Sequence, residues 1–388
     1  MHELAVMAGA AFVLVERRAS EPIMPLHLFR KRNFNLATFG GLCAAVAMFG
    51  VIAYMPSYLQ MVTGLSATTS GLLLVPISAG ILMASVGSGA LASRTGRYKW
   101  MPIVSCLLIG IGLYDDFDRM LAEARLDALS VTLPTYMHTD FTVKALDAGV
   151  NVLCEKPMAL SVEDGQPMIA AAKRNGKLLQ IGHCIRFWPE YAAVKQIIAS
   201  GEYGKLLAAT FQRLSATPTW SWQGWLMDPG KSGAAALDLH IHDSDFVHYA
   251  FGMPKAVFSR AASGPSGDDD HIVTQYLYDD RCAVTAEGGW TMTPGFGFEM
   301  SFNIVLEKAT IVFDCNRSPA LKVCPAEGDA ITPAVAPGDG YSNEIAHFAK
   351  AVSGQSVPEI ITPEQSLESV RLVMAEKQSA RSGEKVAL

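Results

Sequence analysis

The sequence predicts three parts in order: a transmembrane α-helical fragment, an α/β portion with a parallel sheet, and an α+β domain with an open antiparallel sheet. Three observations carry this. Asn33–Ser93 is a run of 61 residues without a single Asp, Glu, Lys, Arg or His. Between residues 115 and 181, short apolar runs alternate with helix-spaced segments. From Leu206 onward the hydrophobic period falls toward two. The charge divides at the same place. Residues 1–114 carry eight Lys/Arg, three Glu and no Asp, whereas residues 115–388 carry 23 Lys/Arg and 34 Asp/Glu. The expected domains are therefore 1–114, 115–185 and 186–388. A chain that is 50% hydrophobic with scattered cysteines is neither disordered nor a disulfide scaffold. A net charge of −6 argues against a nucleic-acid partner.

The first part divides into spans at about 34–56 and 71–93, separated by the polar stretch Thr63–Ser70. Each exceeds the roughly 20 residues needed to cross a bilayer core. Leu4–Val15 and Trp100–Tyr114 are shorter apolar pieces, and the longer covers only about 22 Å of a roughly 30 Å core. Basic residues cluster between Arg17 and Arg32 and between Arg94 and Lys99, two crossings apart, so both loops face the cytoplasm. The segments Glu16–Phe34 and Gly89–Lys99 resemble the middle of a fourteen-helix drug:proton antiporter of the major facilitator superfamily. No acidic residue lies within the spans to carry protons, so coupled transport is not expected. Residues about 4–114 imply a membrane location, with the remainder of cytoplasmic origin.

In the second part, Asp115–Glu123 reads as an amphipathic helix and Leu126–Leu133 as a buried strand. Phe141–Ala148 is helical and stops at Gly149; Val150–Cys154 is the next strand. Glu163–Asn175, ended by Gly176, and Lys177–Ile181 complete a strand–helix–strand–helix–strand series, which indicates a parallel sheet. The period-two strands are Leu206–Leu214, Ala256–Ala261, His271–Tyr278, Cys282–Gly288, Glu299–Leu306 and Thr310–Asp314. Helices at Ser244–Ala250, Asn343–Ser353 and Pro363–Ser379 can cover the ends of the sheet that these strands form or return to the α/β portion.

The chemistry-bearing residues fall at strand and helix ends. Cys154-Glu155-Lys156-Pro157 closes an apolar strand, so Lys156 projects into the cleft beyond the strand's carboxyl end. Asp238 and His242 are spaced i,i+4, within Asp238-Leu-His240-Ile-His242-Asp243. Lys, Asp and His on one cleft can perform acid–base chemistry on a hydroxyl: His moves the proton, Asp orients, Lys stabilises developing negative oxygen. His240-x-His242-Asp243 lacks a further clustered ligand, so no metal is expected. Trp188, Trp220, Trp222 and Trp225 could stack on a sugar ring.

Taken together, Asp127–Asp164 with Pro134-x-x-x-His138 and Glu155-Lys156-Pro157, then Arg186-Phe187-x-Pro189, then Asp238-x-x-x-His242, resemble the glucose–fructose oxidoreductase and inositol dehydrogenase (Gfo/Idh/MocA) family. The resemblance covers residues 115–388. It implies a partial Rossmann domain and NAD- or NADP-dependent hydride transfer to or from a sugar or polyol hydroxyl. His242 would move the proton, with Asp238 and Lys156 placing the reacting oxygen. Pro134, His138, Glu155, Lys156 and Arg186 would line the cofactor cleft. Homo-oligomers through the open sheet are a further implication.

No G-x-G-x-x-G occurs in the 388 residues, although that loop is what cradles a dinucleotide pyrophosphate at the first strand–helix turn. The recognisable dehydrogenase begins near Tyr114, after the place where that loop belongs. The sequence therefore reads as a fusion joined near residues 113–115, with the activity impaired. The alternatives are a membrane-anchored carbohydrate-binding remnant without redox chemistry, and a transporter fragment.

Overall fold

The computed structural model describes residues 116–388, which lie within one compact unit. The spans expected in residues 4–114 and the fusion point near 113–115 lie outside the described residues. Among the described residues, no helix is long and apolar enough to cross a membrane.

The chain enters through α1 (Phe117–Glu123), whose N-cap Asp116 accepts a hydrogen bond from the Arg119 backbone N–H at 2.9 Å. Three strands follow, β1 (Ala128–Val131), β2 (Asn151–Glu155) and β3 (Leu179–Gly182). They alternate with α2 (His138–Asp147) and α3 (Val162–Asn175). Ser161 caps α3, and Gly176 at φ 59° ends it in the left-handed region that favours glycine. The strands pair in parallel in the order β1-β2-β3, with Val131 opposite Cys154, Cys154 opposite Ile181 and Glu155 opposite Gly182. Val152, Leu153, Cys154, Leu179 and Ile181 are all buried, which is why β2 has an apolar centre and β3 is apolar around Gln180.

The next strands are longer and alternate. After α4 (Pro189–Ser200) comes β4 (Leu206–Ala216). A helical stretch follows, comprising α5 (Pro229–Ser232), a π-helical turn (Ala236–His240) and α6 (Ile241–Phe251). Then come β5 (Ala256–Ser263), β6 (Asp269–Leu277), β7 (Ala283–Met292), β8 (Phe298–Leu306), β9 (Ala309–Asp314) and β10 (Leu321–Pro325). Helices α7 (Gly340–Val352) and α8 (Pro363–Ser382) and the two-residue β11 (Val386–Ala387) complete the chain. The eight strands are ordered β10-β9-β8-β4-β7-β6-β5-β11.

The expectation of a purely antiparallel sheet needs one correction: β4 runs parallel to β7, while every other pairing is antiparallel. The long helical stretch after β4 is the reason. It carries the chain away before β5, β6 and β7 form, so β4 is taken into the sheet's centre by strands made later. Period-two spacing defines the strands but not their direction.

One face of this sheet carries the core. Phe211, Phe302 and Phe313 meet Tyr191 of α4 and Phe246 of α6, with ring centroids of Tyr191 and Phe246 4.8 Å apart. Each such buried aromatic is worth about 1.5–3 kcal/mol of transfer free energy. The other face exposes Thr210, Phe258, Val273 and Gln275, so the sheet is open as expected.

Candidate active site

β2 is buried up to Cys154, and its last residue, Glu155, leads into the cis bond between Lys156 and Pro157. Lys156 Nζ donates to the Asp238 backbone carbonyl at 2.5 Å and to Asp238 Oδ1 at 3.0 Å, with only 14% of the lysine side chain exposed. Two segments 82 residues apart are thereby joined at the carboxyl end of the parallel sheet.

His138 fixes this turn from below. Its ring nitrogens sit 2.8 Å from the carbonyls of Pro157 and Leu133, and the side chain is buried. Burial holds its pKa below the usual imidazole value, and the charge of Lys156 adds to this. Both nitrogens of His138, expected near the cofactor, face backbone carbonyls, so it ties the Glu155-Lys156-Pro157 turn to the Pro134 loop. Pro134 itself is half-buried and opens the turn Thr135–Met137. Glu155 is half-buried; desolvation raises its carboxyl pKa, opposed by Lys156.

Arg186, also expected at the cofactor cleft, has internal partners. Its Nε and Nη2 donate to the two oxygens of Asp245 at 2.9 and 2.8 Å, and its Nη1 to the Ile360 carbonyl and Gln365 Oε1. Neither side chain of the Arg186–Asp245 pair has any exposed surface. This guanidinium pins α6 and α8 to the segment after β3.

Asp238 lies in the π-helical turn and His242 at the start of α6. While Asp238 engages Lys156, His242 lines a cavity of about 290 Å³ with Trp188, Leu239, Phe298, Met300 and Tyr341. His242 Nδ1 is buried without a partner, which leaves Nε2 as the ring nitrogen with access to the cavity. Burial pushes the His242 pKa well below the usual value; Lys156, Arg213 and His183 reinforce this, and Asp245 opposes it. The ring is neutral at neutral pH and can accept a proton. Of the four tryptophans, Trp188 lines the cavity, Trp225 packs beside Leu226 and Trp290, and Trp220 and Trp222 are exposed.

Helix α8 clamps the Asp238 segment on both sides. Lys377 Nζ donates to the Gly233 carbonyl at 2.8 Å, and Glu376 Oε2 lies 3.1 Å from His240 Nε2. Between these anchors, Ala234 holds φ 62°, a left-handed conformation that costs a non-glycine residue about 1–2 kcal/mol. Against His240 lies Gly288 of β7, where an added Cβ would fall 2.7 Å from the His240 Cβ and 2.9 Å from its Cα. Gly288→Val is therefore expected to cost about 1–3 kcal/mol by overpacking and to displace the π-helical turn. Urea unfolding together with a loss of the Lys156–Asp238 contact in a crystal structure of the variant checks it; an unchanged midpoint counts against the packing argument.

Sequence reasoning missed the pair Arg213–Asp243, whose two bonds are both 3.0 Å, and the ring of His183 beside Asp245. A signal was present. Asp243 and Asp245 lie in a helix start, Ile241–Val247, that is wholly buried, and buried carboxylates require cationic partners.

The description "Oxidoreductase family, NAD-binding Rossmann fold" matches residues 104–183, and "GFO/IDH/MocA C-terminal domain" matches residues 191–312. Among curated proteins, the 1,5-anhydro-D-fructose reductase of Ensifer adhaerens is 26% identical over 282 residues, which cover 69% of this chain and 81% of that protein. An uncharacterised MFS-type transporter of Mycobacterium tuberculosis is 39% identical over 107 residues, 28% of this chain and 16% of the transporter. Among solved structures, levoglucosan dehydrogenase in complex with NADH and levoglucosan superposes with a TM-score of 0.62 at 21% identity, covering 71% of this chain and 83% of that one. That likeness shows the fold. The two family matches together span just over half of the 388 residues, and over them the chain belongs to the Gfo/Idh/MocA oxidoreductase family.

Proposed function

We propose that residues 115–388 carry the reacting centre of an NAD(P)-dependent oxidoreductase acting on a hydroxyl of an uncharged sugar or polyol, fused near residues 113–115 to a membrane-anchoring segment. The single observation that carries this is His242, which lines a cavity with its Nδ1 unpartnered and feels the charge of Lys156, itself paired with Asp238. His242 Nε2 takes the hydroxyl proton. Lys156, oriented by Asp238, stabilises the negative charge that develops on the same oxygen. When bound, a nicotinamide dinucleotide supplies the hydride acceptor or donor.

The fit to that group is good at one end. Glu155 ends a parallel strand, and Lys156 and Pro134 lie just past strand ends, where ligands of open α/β sheets bind; these three would hold the nicotinamide. For the pyrophosphate the chain has no G-x-G-x-x-G, so the grip on the nucleotide is weak. An uncharged substrate is favoured because Arg213, the cation lining the cavity, is saturated by Asp243, while Trp188, Phe298 and Tyr341 suit the apolar face of a sugar ring. The relatives named for an anhydro-fructose and for levoglucosan support the same class.

Titration of the full chain with NADH, read by nucleotide fluorescence, tests the cofactor half. The expected dissociation constant is about 1 mM or weaker, near −4 kcal/mol; micromolar binding overturns the weak grip. A variant in which residues 1–114 are replaced by a complete N-terminal Rossmann half should gain hydroxyl-dependent NAD(P) reduction. Inertness toward every sugar and polyol tried overturns the hydroxyl chemistry.

A further inference from the structure

A second carboxyl lies close to Glu155, on an element that the catalytic reading does not use. Helix α7 docks against the end of β3 so closely that a Cβ on Gly340 would overlap the Cys184 carbonyl. Asn343 Nδ2 donates to the Phe187 carbonyl at 3.3 Å, and His347 Nδ1 lies 3.0 Å from Gln180 Oε1. Between them Glu344 points inward, 2% exposed, with its Oε2 buried and unpartnered.

Gly182 brings this carboxyl to Glu155. The two residues are strand partners, and a Cβ on Gly182 would lie 3.1 Å from Glu155 Oε2 and 3.2 Å from Glu344 Oε1. Two carboxyls thus flank one point at the carboxyl edge of the parallel sheet, next to the residue that leads into Lys156. Like charges this close in a dry site cannot both be carried cheaply. The titratable groups around Glu344 are Glu155 on β2, His183 and Cys184 just past β3, and Tyr341 and His347 one turn away on its own helix. Burial first, and the charge of Glu155 second, push the Glu344 carboxyl up to about 9.

We propose that Glu344 is a positioning residue: its carboxyl faces the same point beside Gly182 as that of Glu155, and through Glu155 it holds the turn presenting Lys156. The proposal rests on the catalytic reading of Lys156, but the proton on Glu344 does not. Above pH 9 the Glu344 proton is lost, the new charge repels Glu155, and the turn loses its fixed geometry.

The full chain and its Glu344→Gln and Glu344→Ala variants test this. Glutamine keeps a neutral hydrogen-bonding group of the same shape; alanine does not. At pH 7 the infrared C=O band of a protonated carboxyl is expected in the parent and reduced in Glu344→Gln. The unfolded chain releases this proton from about pH 4.5 and the folded chain keeps it to about 9, so the melting temperature of Glu344→Gln relative to the parent should climb across that window. Reductive methylation of Lys156, read by mass spectrometry, should rise several-fold in Glu344→Ala and stay near the parent level in Glu344→Gln. Where turnover is measurable, Glu344→Gln should retain kcat within about threefold, and Glu344→Ala should lose tenfold or more with little change in KM. An unchanged carboxyl band, a flat melting difference, or equal Lys156 labelling in both variants overturns the proposal. A catalytically silent parent with all three physical signatures present instead counts against the hydroxyl chemistry alone.

Discussion

Replacing Asp245 with Ala is expected to cost about 3–5 kcal/mol of stability, the usual penalty for stranding one member of a buried ion pair. Arg186 has no exposed side-chain surface, and two of its bonds end on Asp245. Ser369 Oγ on α8 donates to Asp245 Oδ1 at 2.7 Å, so one carboxylate joins α6, α8 and the segment after β3. Removing it leaves a guanidinium charge in a dry interior and a hydroxyl without its acceptor. The double variant Arg186→Leu/Asp245→Leu should cost markedly less than the sum of the single ones, because no charge is then stranded. Burial raises the Asp245 carboxyl, but Arg186 and His183 outweigh burial and hold it well below the usual value of 3.8. A depressed folded-state pKa gives stability that is present above pH 3.8 and lost as the pH falls toward the lower folded-state value. Urea unfolding at pH 7 and pH 3 checks both points. A single-variant cost below 1 kcal/mol at pH 7, or the same cost at both pH values, contradicts the argument.

The contrast between Arg186 and Lys156 marks how far this sequence can be read. Both follow strands of the parallel sheet and both belong to recognisable motifs, yet Lys156 meets Asp238 in a partly exposed cleft and Arg186 is consumed internally. The distinction depends on Asp245, 59 residues away in sequence, and no local pattern encodes it. Strand and helix positions were legible to within a few residues because burial imposes periods of two and 3.6 on the side chains. The parallel pairing of β4 with β7 was not, since it is set by where the later strands close around β4. The i,i+4 spacing of Asp238 and His242 was visible, but not the π-helical turn that intervenes. Gly288 packs directly on His240 in that turn, a contact that only the tertiary fold reveals. Glu344 escaped notice for the same reason: a glutamate on an amphipathic helix looks solvated until Gly182 brings it against Glu155.

His242→Ala is expected to lower turnover by about 10²–10⁴-fold, the range for loss of a positioned general base, and Lys156→Met by about 10²–10³-fold through loss of charge stabilisation. Both are measured as kcat in the variant with a restored N-terminal Rossmann half, where cofactor affinity is not limiting. The two residues are also coupled through charge. Burial is the main reason that the His242 pKa lies well below 6.5, and the Lys156 ammonium adds to it. Hydroxyl oxidation requires the neutral ring, so the acid limb of the pH–rate profile should fall below pH 6.5. Removing the ammonium in Lys156→Met relieves part of the shift, and the same limb should move up toward 6.5. Titration of the His242 imidazole resonance by NMR reads this shift independently of turnover. If the resonance titrates at the same pH with and without Lys156, the ammonium is not close enough to act on the oxygen from which His242 takes its proton. The pairing of these two residues on one hydroxyl then fails, even if each variant is slow. If the titration moves while His242→Ala retains more than about a tenth of the parent rate, the geometry is right but another group is the base.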